Sequence, residues 1–324
     1  MPVLHRQNGV ALITALLVVS LASILAVSLL EHLHYDLRRT ENIIRADQAE
    51  LYNANAVQFA RDLLRLDRTL NNEYDTLEEY SPQNEQLFPV PGGGVSARLL
   101  DQQRCFNLNN LSTSDAAVLA QQTIIYRNLL QQAEIDSSLH STLVDSLLDW
   151  LDDNDIAQPM GAEFDYYIGL EQPYRSANQL MITPTELRMV KGYTPEIISQ
   201  LRPYVCVIPA INTAININTA SAEMLESIPA LAGHGAQIVQ DRDGRPDTTE
   251  DDAPFANTND FQQYAQQTLQ IQNINTQGLQ VYSEYFMMES YTNLGAGNSR
   301  LFSLIYRNQD DGSSEIIYQS RGTL

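Results

Sequence analysis

Six carboxylates within seventeen positions form the part of this sequence best suited to chemistry. They are Asp149, Asp152, Asp153, Asp155, Glu163 and Asp165. Clustered carboxylate oxygens suit Ca²⁺, which takes about six to eight oxygen ligands. The cluster is not an EF-hand, because the loop spacing and the glycine at the sixth position of that motif are missing. The pattern predicts a calcium site, and the simpler alternative is an acidic surface that water solvates.

A second acidic stretch occupies residues 241–252. It contains a short D-x-D-G turn followed by further carboxylates. It offers no framework of bulky ligands that would enclose a metal ion, so the sequence favours a solvated loop here.

The remaining polar residues give little support to catalysis. The five histidines are scattered along the chain, at His5, His32, His34, His140 and His234. The sequence contains no G-x-S-x-G, H-E-x-x-H or glycine-rich phosphate loop. A pair of carboxylates could in principle hydrolyse a glycosidic bond, but abundant acids without a defined arrangement are weak evidence. We expect that the protein is not an enzyme.

Residues 215–225 and 231–235, with a later Pro254-Phe255 pair, resemble a helix-hairpin-helix unit, an element that elsewhere holds DNA phosphates on hairpin amides. The charge argues against that use. Residues 212–262 contain nine acids and two arginines, and the whole chain has a formal net charge of −21. DNA affinity requires basic side chains that neutralise several phosphates. The sequence therefore predicts a packing role for this unit and no nucleic-acid partner.

The elements that position these residues begin with a long apolar run. Val10 to Leu30 is a run of 21 residues without a charge, which as a helix would extend about 32 Å and match a hydrocarbon core of about 30 Å. The apolar core of a secretory signal is shorter, at about 7–15 residues. Residues 20–22 and 26–28 could still serve as small-x-small cleavage sites, so a cleaved signal peptide is the alternative. The arginines on either side of the run do not settle its orientation.

The helical pattern continues beyond the apolar run. No glycine or proline occurs from residue 10 to residue 81, and apolar residues recur in steps of three, four or seven. The sequence therefore predicts one helix, with a transmembrane segment at residues 10–30 and a stem at residues 31–81. The apolar stripe of the stem must pack on a globular domain, on neighbouring subunits, or on both.

The chain after the stem divides into strands and helices. Residues 89–94 predict a turn, residues 95–100 a strand, and the mainly helical pattern from residue 112 ends near residue 277. Three further strands are predicted at residues 279–290, 300–307 and 315–319. The predicted fold is α+β, with the stem helix packed on a small antiparallel sheet, as in pilins. We assign residues 82–111 and 278–324 to the sheet domain and residues 112–277 to an inserted helical domain.

Three motifs connect the sequence to a family. Gly9 ends a short basic leader before the apolar helix, F-N-L-N-N occupies residues 106–110, and G-A-E-x-D-Y occupies residues 161–166. Together they resemble minor pseudopilin K of type II secretion systems, and the resemblance covers essentially the whole chain. It implies that the prepilin peptidase removes a leader of residues 1–9 by cutting between Gly9 and Val10, and that the protein is methylated.

The resemblance also gives a meaning to Thr14. Pilins and most pseudopilins carry a glutamate five residues after the cut, and in this sequence that position is Thr14. A glutamate in the membrane is costly and is thought to neutralise the amine of the subunit above it. A subunit without it has no such partner to satisfy and can sit at the tip. The implied role is to initiate or cap a pseudopilus for protein export across the outer membrane.

The family resemblance implies partners and a location as well. The partners would be minor pseudopilins of the I and J types in a tip complex. The chain would cross the inner membrane through residues 10–30 and place its head in the periplasm. Family members bind calcium in the helical insertion, which supports Ca²⁺ at the acidic cluster. The alternative is an exported calcium-binding hydrolase with a long signal sequence.

Cys105 and Cys206 are the two cysteines of the chain. In an exported protein, two thiols suggest one disulfide. The bond would close a loop of about 100 residues. The sequence alone does not show that the two residues meet.

Overall fold

The first element is a long helix that is exposed over residues 10–45. The computed structural model of the protein describes residues 10–70, 73–80, 83–243, 254–295 and 297–322. Helix α1, Val10–Thr69, has 60 residues and therefore extends about 90 Å. Its most apolar window has a mean hydropathy of 2.8 and is entirely exposed, and the helix is long and apolar enough to cross a membrane. Its last third buries one stripe: Ala49, Asn53, Val57, Ala60 and Leu64.

The prediction of one helix to residue 81 is wrong, because α1 ends at Thr69 and a separate short helix, α2, follows at Leu77–Tyr80. Asp75, between the two helices, is buried and forms an ion pair with Arg307, with Oδ2 and Nη2 2.5 Å apart. Its backbone N–H donates to the carbonyl of Val281 at 2.9 Å. The chain leaves the helix because these tertiary contacts outweigh local helix propensity.

A five-stranded antiparallel sheet forms the surface on which α1 packs. The nine strands of the described residues are β1 (Gln86–Val90), β2 (Gly93–Asp101), β3 (Phe106–Asn107), β4 (Val205–Cys206), β5 (Ile215–Asn216), β6 (Leu279–Gln280), β7 (Tyr285–Leu294), β8 (Gly297–Arg307) and β9 (Ser314–Arg321). The order in the large sheet is β1-β2-β7-β8-β9. Its core joins the α1 stripe to inward-facing residues such as Leu99, Phe286 and Ile305.

Two details of the sheet differ from the sequence prediction. Residues 86–90 form an edge strand, whereas residues 89–94 were predicted to be a turn; the turn occupies only residues 91–92, with Gly92 at φ +88°. An edge strand accommodates Pro89 because proline lacks only the N–H. The predicted strand 279–290 is two strands: β6 pairs in parallel with β5, and β7 starts at Tyr285.

The helices form a second core between β2 and β7. They are α3 (Ala116–Gln132), α4 (His140–Leu151), α5 (Phe164–Ile168), α6 (Pro195–Leu201), α7 (Ala222–Ser227), α8 (Gly235–Arg242) and α9 (Thr258–Gln267). This confirms the predicted insertion of a helical region between two sheet strands. Its boundary differs, because Phe106, Leu108 and Leu111 are buried in the helical core. Strand β3 pairs in parallel with β4 and ties this segment to the helices rather than to the large sheet.

Candidate functional site

The acidic cluster is built from the end of one helix and the start of another. Asp149 lies in the last turn of α4, Asp152 follows directly after that helix, and Glu163 is the N-cap residue of α5. Single carboxylate oxygens of Asp149, Asp152 and Glu163 lie within 4.8 Å of one another. Asp149 and Glu163 are buried and Asp152 is half-buried. Three of the six predicted carboxylates therefore converge on one point.

Backbone amides hold this arrangement in place. The N–H of Gln158 donates to both oxygens of Asp149, at 3.0 and 3.2 Å. The Ser176 hydroxyl donates to Glu163 at 3.3 Å. Gly161 lies so close to the Asp149 carboxylate that a Cβ at this position would collide with it. The loop from α4 to α5 is thus folded around the carboxylates.

The single lysine of the chain anchors the same loop. Lys191 Nζ donates to the carbonyls of Met160 and Gly161, at 3.1 and 2.8 Å. It also lies 5.1 Å from the ring centroid of Tyr166. The Lys191 ammonium therefore binds carbonyl oxygens of the loop. The carboxylates of the cluster face one another.

The electrostatics of the cluster follow from that crowding. Burial, followed by the negative charges of Asp149 and Asp152, raises the pKa of Glu163 to about 7. Burial likewise raises the pKa of Asp149 and of Asp152, and neighbouring aspartates add to each shift. Glu163 Oε1 is buried and has no hydrogen-bond partner among the described residues. Converging hard oxygens with an unpartnered buried atom fit a divalent cation such as Ca²⁺.

The other predicted carboxylates lie outside this group of three. Asp155 is close, since its charge also raises the pKa of Glu163 and its Oδ1 accepts from Asn178 Nδ2 at 3.2 Å. Asp153 is exposed in the loop, and Asp165 is exposed in the first turn of α5. Asn178, which the sequence pattern did not indicate, has a buried Oδ1 without a partner among the described residues. No spacing signal could have identified it, because the fold alone brings it to the loop.

The two cysteines meet where the helical region joins the sheet. Both are buried, and both thiols donate to the carbonyl of Gln102, at 3.3 Å from Cys105 and 2.9 Å from Cys206. Burial raises the pKa of the Cys206 thiol well above its ordinary value, and its contact with Cys105 adds to that shift. Both cysteines are free thiols in the structure. The disulfide stays a prediction, and the two residues that would form it lie next to each other.

A buried polar network links the same region to the stem. Asp101, at the end of β2, is completely buried and accepts from Thr219 and from the Gln103 N–H, the latter at 2.7 Å. Asp75 accepts from the Ser283 N–H at 2.5 Å and pairs with Arg307. Burial raises the pKa of Asp75 to about 7 although the charge of Arg307 lowers it. The end of the stem, the sheet and the helical region are therefore joined by hydrogen bonds.

The helix-hairpin-helix unit has its hairpin amides occupied from within the chain. The N–H groups of Gly233 and Gly235, between α7 and α8, donate to the Glu226 carboxylate at 2.5 and 2.8 Å. The Glu226 carboxylate occupies the hairpin amides that a phosphate would have to bind. This supports the packing role that the acidic net charge predicted for the unit. The second acidic stretch lies mostly outside the described residues, at 244–253.

At the start of α1, Thr14 satisfies its hydroxyl within its own helix. Its Oγ1 donates to the carbonyls of Val10 and Ala11, at 3.1 and 3.0 Å. Val10 is the first described residue, and Gly9 with the rest of the predicted leader lies outside the described residues.

A long exposed apolar helix whose far end packs on an antiparallel sheet, with helices inserted between two strands, defines a pilin-like protein with an enlarged head. Residues 104–210 match the family model for type II secretion system protein K. The type II secretion system protein K of Aeromonas hydrophila is 34% identical over 240 residues, which cover 71% of this chain and 72% of that protein. The Pseudomonas aeruginosa protein of the same name is 30% identical over 98% of this chain and 93% of its own length. The chain belongs to the type II secretion system protein K family.

A solved structure supports the fold. The crystal structure of the GspK–GspI–GspJ complex from the type 2 secretion system of enterotoxigenic Escherichia coli contains a chain with a TM-score of 0.75 and 24% identity. The similarity covers 88% of this chain and all of that one. The family model begins at residue 104, which agrees with a helical region that starts before residue 106 rather than at residue 112.

Proposed function

We propose that this protein is a minor pseudopilin that occupies the tip of a type II secretion pseudopilus and initiates or caps its assembly. Residues 10–30 would anchor it in the inner membrane, with the head in the periplasm. Thr14 carries the tip assignment, because its hydroxyl is satisfied inside its own helix and needs no amine from a neighbouring subunit. The bulk of the inserted helices also suits a single terminal position better than a repeated one.

The partners follow from the same assignment. We propose minor pseudopilins of the I and J types, because the similar crystal structure is that of a complex of GspK with GspI and GspJ. The prepilin peptidase would cut between Gly9 and Val10, and methylation of the processed chain would follow. The apolar run of α1 is fully exposed, which suits packing among other transmembrane helices.

We further propose that Ca²⁺ binds at Asp149, Asp152 and Glu163, with Asp155 and Asn178 as further candidate ligands. Its role would be structural, because it would neutralise carboxylates that join α4 to α5. A non-catalytic role is supported by the family, whose members are named as a component of a secretion system. The alternative of an exported hydrolase receives no support from the relatives.

The mature N-terminus separates the two functions. A chain that begins at Val10 supports the pseudopilin, whereas one that begins after residue 22 or residue 28 supports the exported hydrolase. A bulky residue in place of Gly9 should leave the chain unprocessed and unassembled. Normal processing of such a variant would contradict the proposal.

The tip assignment is tested by Thr14→Glu, with Thr14→Val as the matched control. The new carboxylate would enter the membrane without a partner at the tip, which is costly. We expect secretion to fall sharply with Thr14→Glu and to remain near normal with Thr14→Val in a strain that depends on this protein. Equal secretion by both variants would count against a terminal position.

A further inference from the structure

Arginines follow the apolar run of α1 on the side where membrane proteins usually have few of them. Arg38 and Arg39 come after Leu30, between the apolar run and the head. Short segments that are exported from the cytoplasm are usually poor in lysine and arginine. A head in the periplasm therefore leaves these two side chains without an explanation from membrane topology.

The two arginines belong to a shallow groove on the surface of the helix. Tyr35, beside them, is 74% exposed. Among the described residues, no ion pair or hydrogen bond involves either guanidinium group. The groove is lined by Tyr35, Arg38, Arg39, Asn42, Ile43 and Ala46.

The groove continues the face of α1 that packs on the sheet. At about 100° per residue, its four polar residues fall in the sector that further along holds the buried stripe from Ala49 to Leu64. The sheet begins to cover this face at Arg45, because Gly297 of β8 packs so closely on Arg45 that a Cβ would collide with it. The groove therefore occupies the part of this face that lies between the apolar run and the head, where α1 is exposed.

The position of the groove along the helix matches the headgroup layer of a membrane. If residues 10–30 span the hydrocarbon core, Tyr35 lies about 7.5 Å beyond it and the two arginines lie about 12 to 14 Å beyond it. The headgroup layer on each side is about 5 to 8 Å thick. Side chains of an α-helix point toward its N-terminus, which here is the membrane side, so the long arginine side chains can reach back into that layer. Tyrosine is enriched at the same depth.

The ligand that fits this groove is a phosphate ester. A guanidinium group binds two phosphate oxygens through parallel N–H donors. Around the helix, Tyr35 and Asn42 lie between the two arginines and add a hydroxyl and an amide donor. Asp36 and Glu41 fall outside the sector, and Glu31 falls within it one turn nearer the membrane. The groove itself therefore carries positive charge.

We propose that Tyr35, Arg38, Arg39 and Asn42 bind the headgroup phosphate of an anionic phospholipid in the leaflet that faces the head. This inference rests on the proposed function, since it requires residues 10–30 to span the membrane. It adds a ligand class to the stem and gives the arginines after the apolar run a role.

The test measures which lipids the full-length protein retains. The protein is reconstituted in nanodiscs of equal parts phosphatidylglycerol and phosphatidylcholine and is then released for native mass spectrometry. Each arginine at an anionic membrane surface contributes about fivefold in affinity. We expect the wild type to prefer phosphatidylglycerol by about tenfold or more, and Arg38→Gln/Arg39→Gln to prefer it by less than about twofold.

Arg65→Gln/Arg188→Gln is the matched control, because it removes the same charge from two exposed positions farther from the membrane. Its lipid preference should equal that of the wild type. A Tyr35→Trp variant measures depth, since the one native tryptophan, Trp150, is buried in the head. Lipid chains brominated near the headgroup should quench its fluorescence more than chains brominated near their ends.

The lipid site is wrong if the Arg38→Gln/Arg39→Gln variant and the wild type show the same preference, or if the wild type shows none. A photo-crosslinker at residue 42, in cells that produce no other pseudopilin, should capture phospholipid. Capture of a protein instead would assign the groove to that protein and overturn the lipid site. If the full-length protein does not stay in alkali-washed membranes, the proposed function itself fails. If it stays there without a lipid preference, only the lipid site fails.

Discussion

Glu163 is the carboxylate through which pH should act on the candidate metal centre. Its pKa of about 7 lies above the usual value of 4.5, so the metal-free folded protein keeps a proton that the unfolded chain releases between those values. This contribution to stability is complete below about pH 4.5 and is lost as the pH rises through 7. Calcium must displace the same proton, so its affinity should fall by up to roughly tenfold for each pH unit below 7.

Thermal unfolding and calcium titration between pH 5.5 and 8 measure both effects. Chelated wild-type protein should lose stability as the pH rises, and added calcium should reduce that loss. Glu163→Gln should show a flatter profile and weaker binding. Asp75 also has a pKa of about 7 and is present in both proteins, so the difference between them isolates Glu163. Identical pH profiles for the two proteins would contradict this assignment.

Lys191 should act on the candidate metal centre without touching the bound ion. Lys191→Met removes the two hydrogen bonds to the carbonyls of Met160 and Gly161. We expect calcium affinity to fall about tenfold, as when outer-shell partners of other metal sites are removed. Arg175→Met is the control, because Arg175 lies 5.6 Å from the Phe164 ring in the same region. A titration in which both variants bind calcium equally well would show that Lys191 does not position the loop.

At the scale of elements, calcium at the proposed site should matter most to α4 and α5, whose ends carry the converging carboxylates. Chelation should increase hydrogen exchange in α4 and α5 first and leave β7 and β8 protected, because the carboxylates repel one another when no cation neutralises them. A hundredfold excess of calcium over Kd would add ~2.7 kcal/mol of stability. Glu163→Ala should remove this response, and Asp153→Ala, at an exposed position outside the group of three, should retain it. Uniform exchange with and without chelator, and no metal in the purified protein, would return the cluster to a solvated surface.

The sequence predicted elements well where one periodicity dominates and poorly where tertiary contacts decide. The spacing of apolar residues predicted the helix α1. Its end at Thr69 was not predictable, because the chain after it is held by the ion pair between Asp75 and Arg307, which is far away in the sequence. The strand at residues 86–90 was hidden by Pro89, which is acceptable only at a sheet edge. Asn178 lies outside the acidic stretch, and only the fold brings it to the candidate site. Asp149 and Glu163 were predicted from the sequence because they belong to a dense cluster of acidic residues.

At the scale of the whole molecule, Cys105 and Cys206 lie where the two cores meet. A disulfide there would close a loop of about 100 residues and stabilise the protein by up to ~4.7 kcal/mol in the chain-entropy model. We expect protein from the exported compartment to be two hydrogens lighter than its reduced form by intact mass. Cys206→Ser should remove that difference and lower the melting temperature by several degrees. Two free thiols in such protein would show that the pair stays reduced.

The long insertion between β2 and β7 sets the order in which the head can fold. Asp101 pairs with Phe286, about 185 residues later, and the Gln102 N–H donates to the Tyr285 carbonyl at 2.9 Å. If the chain is exported from its N-terminus, the stem helix emerges first and β7 and β8 emerge last. The face of the stem that packs on these strands therefore stays exposed until they arrive. The helical core has no such delay, since its members lie between those strands. Pulse proteolysis during export should find residues 116–242 protected before residues 285–321, and the stem would need a temporary cover in that interval.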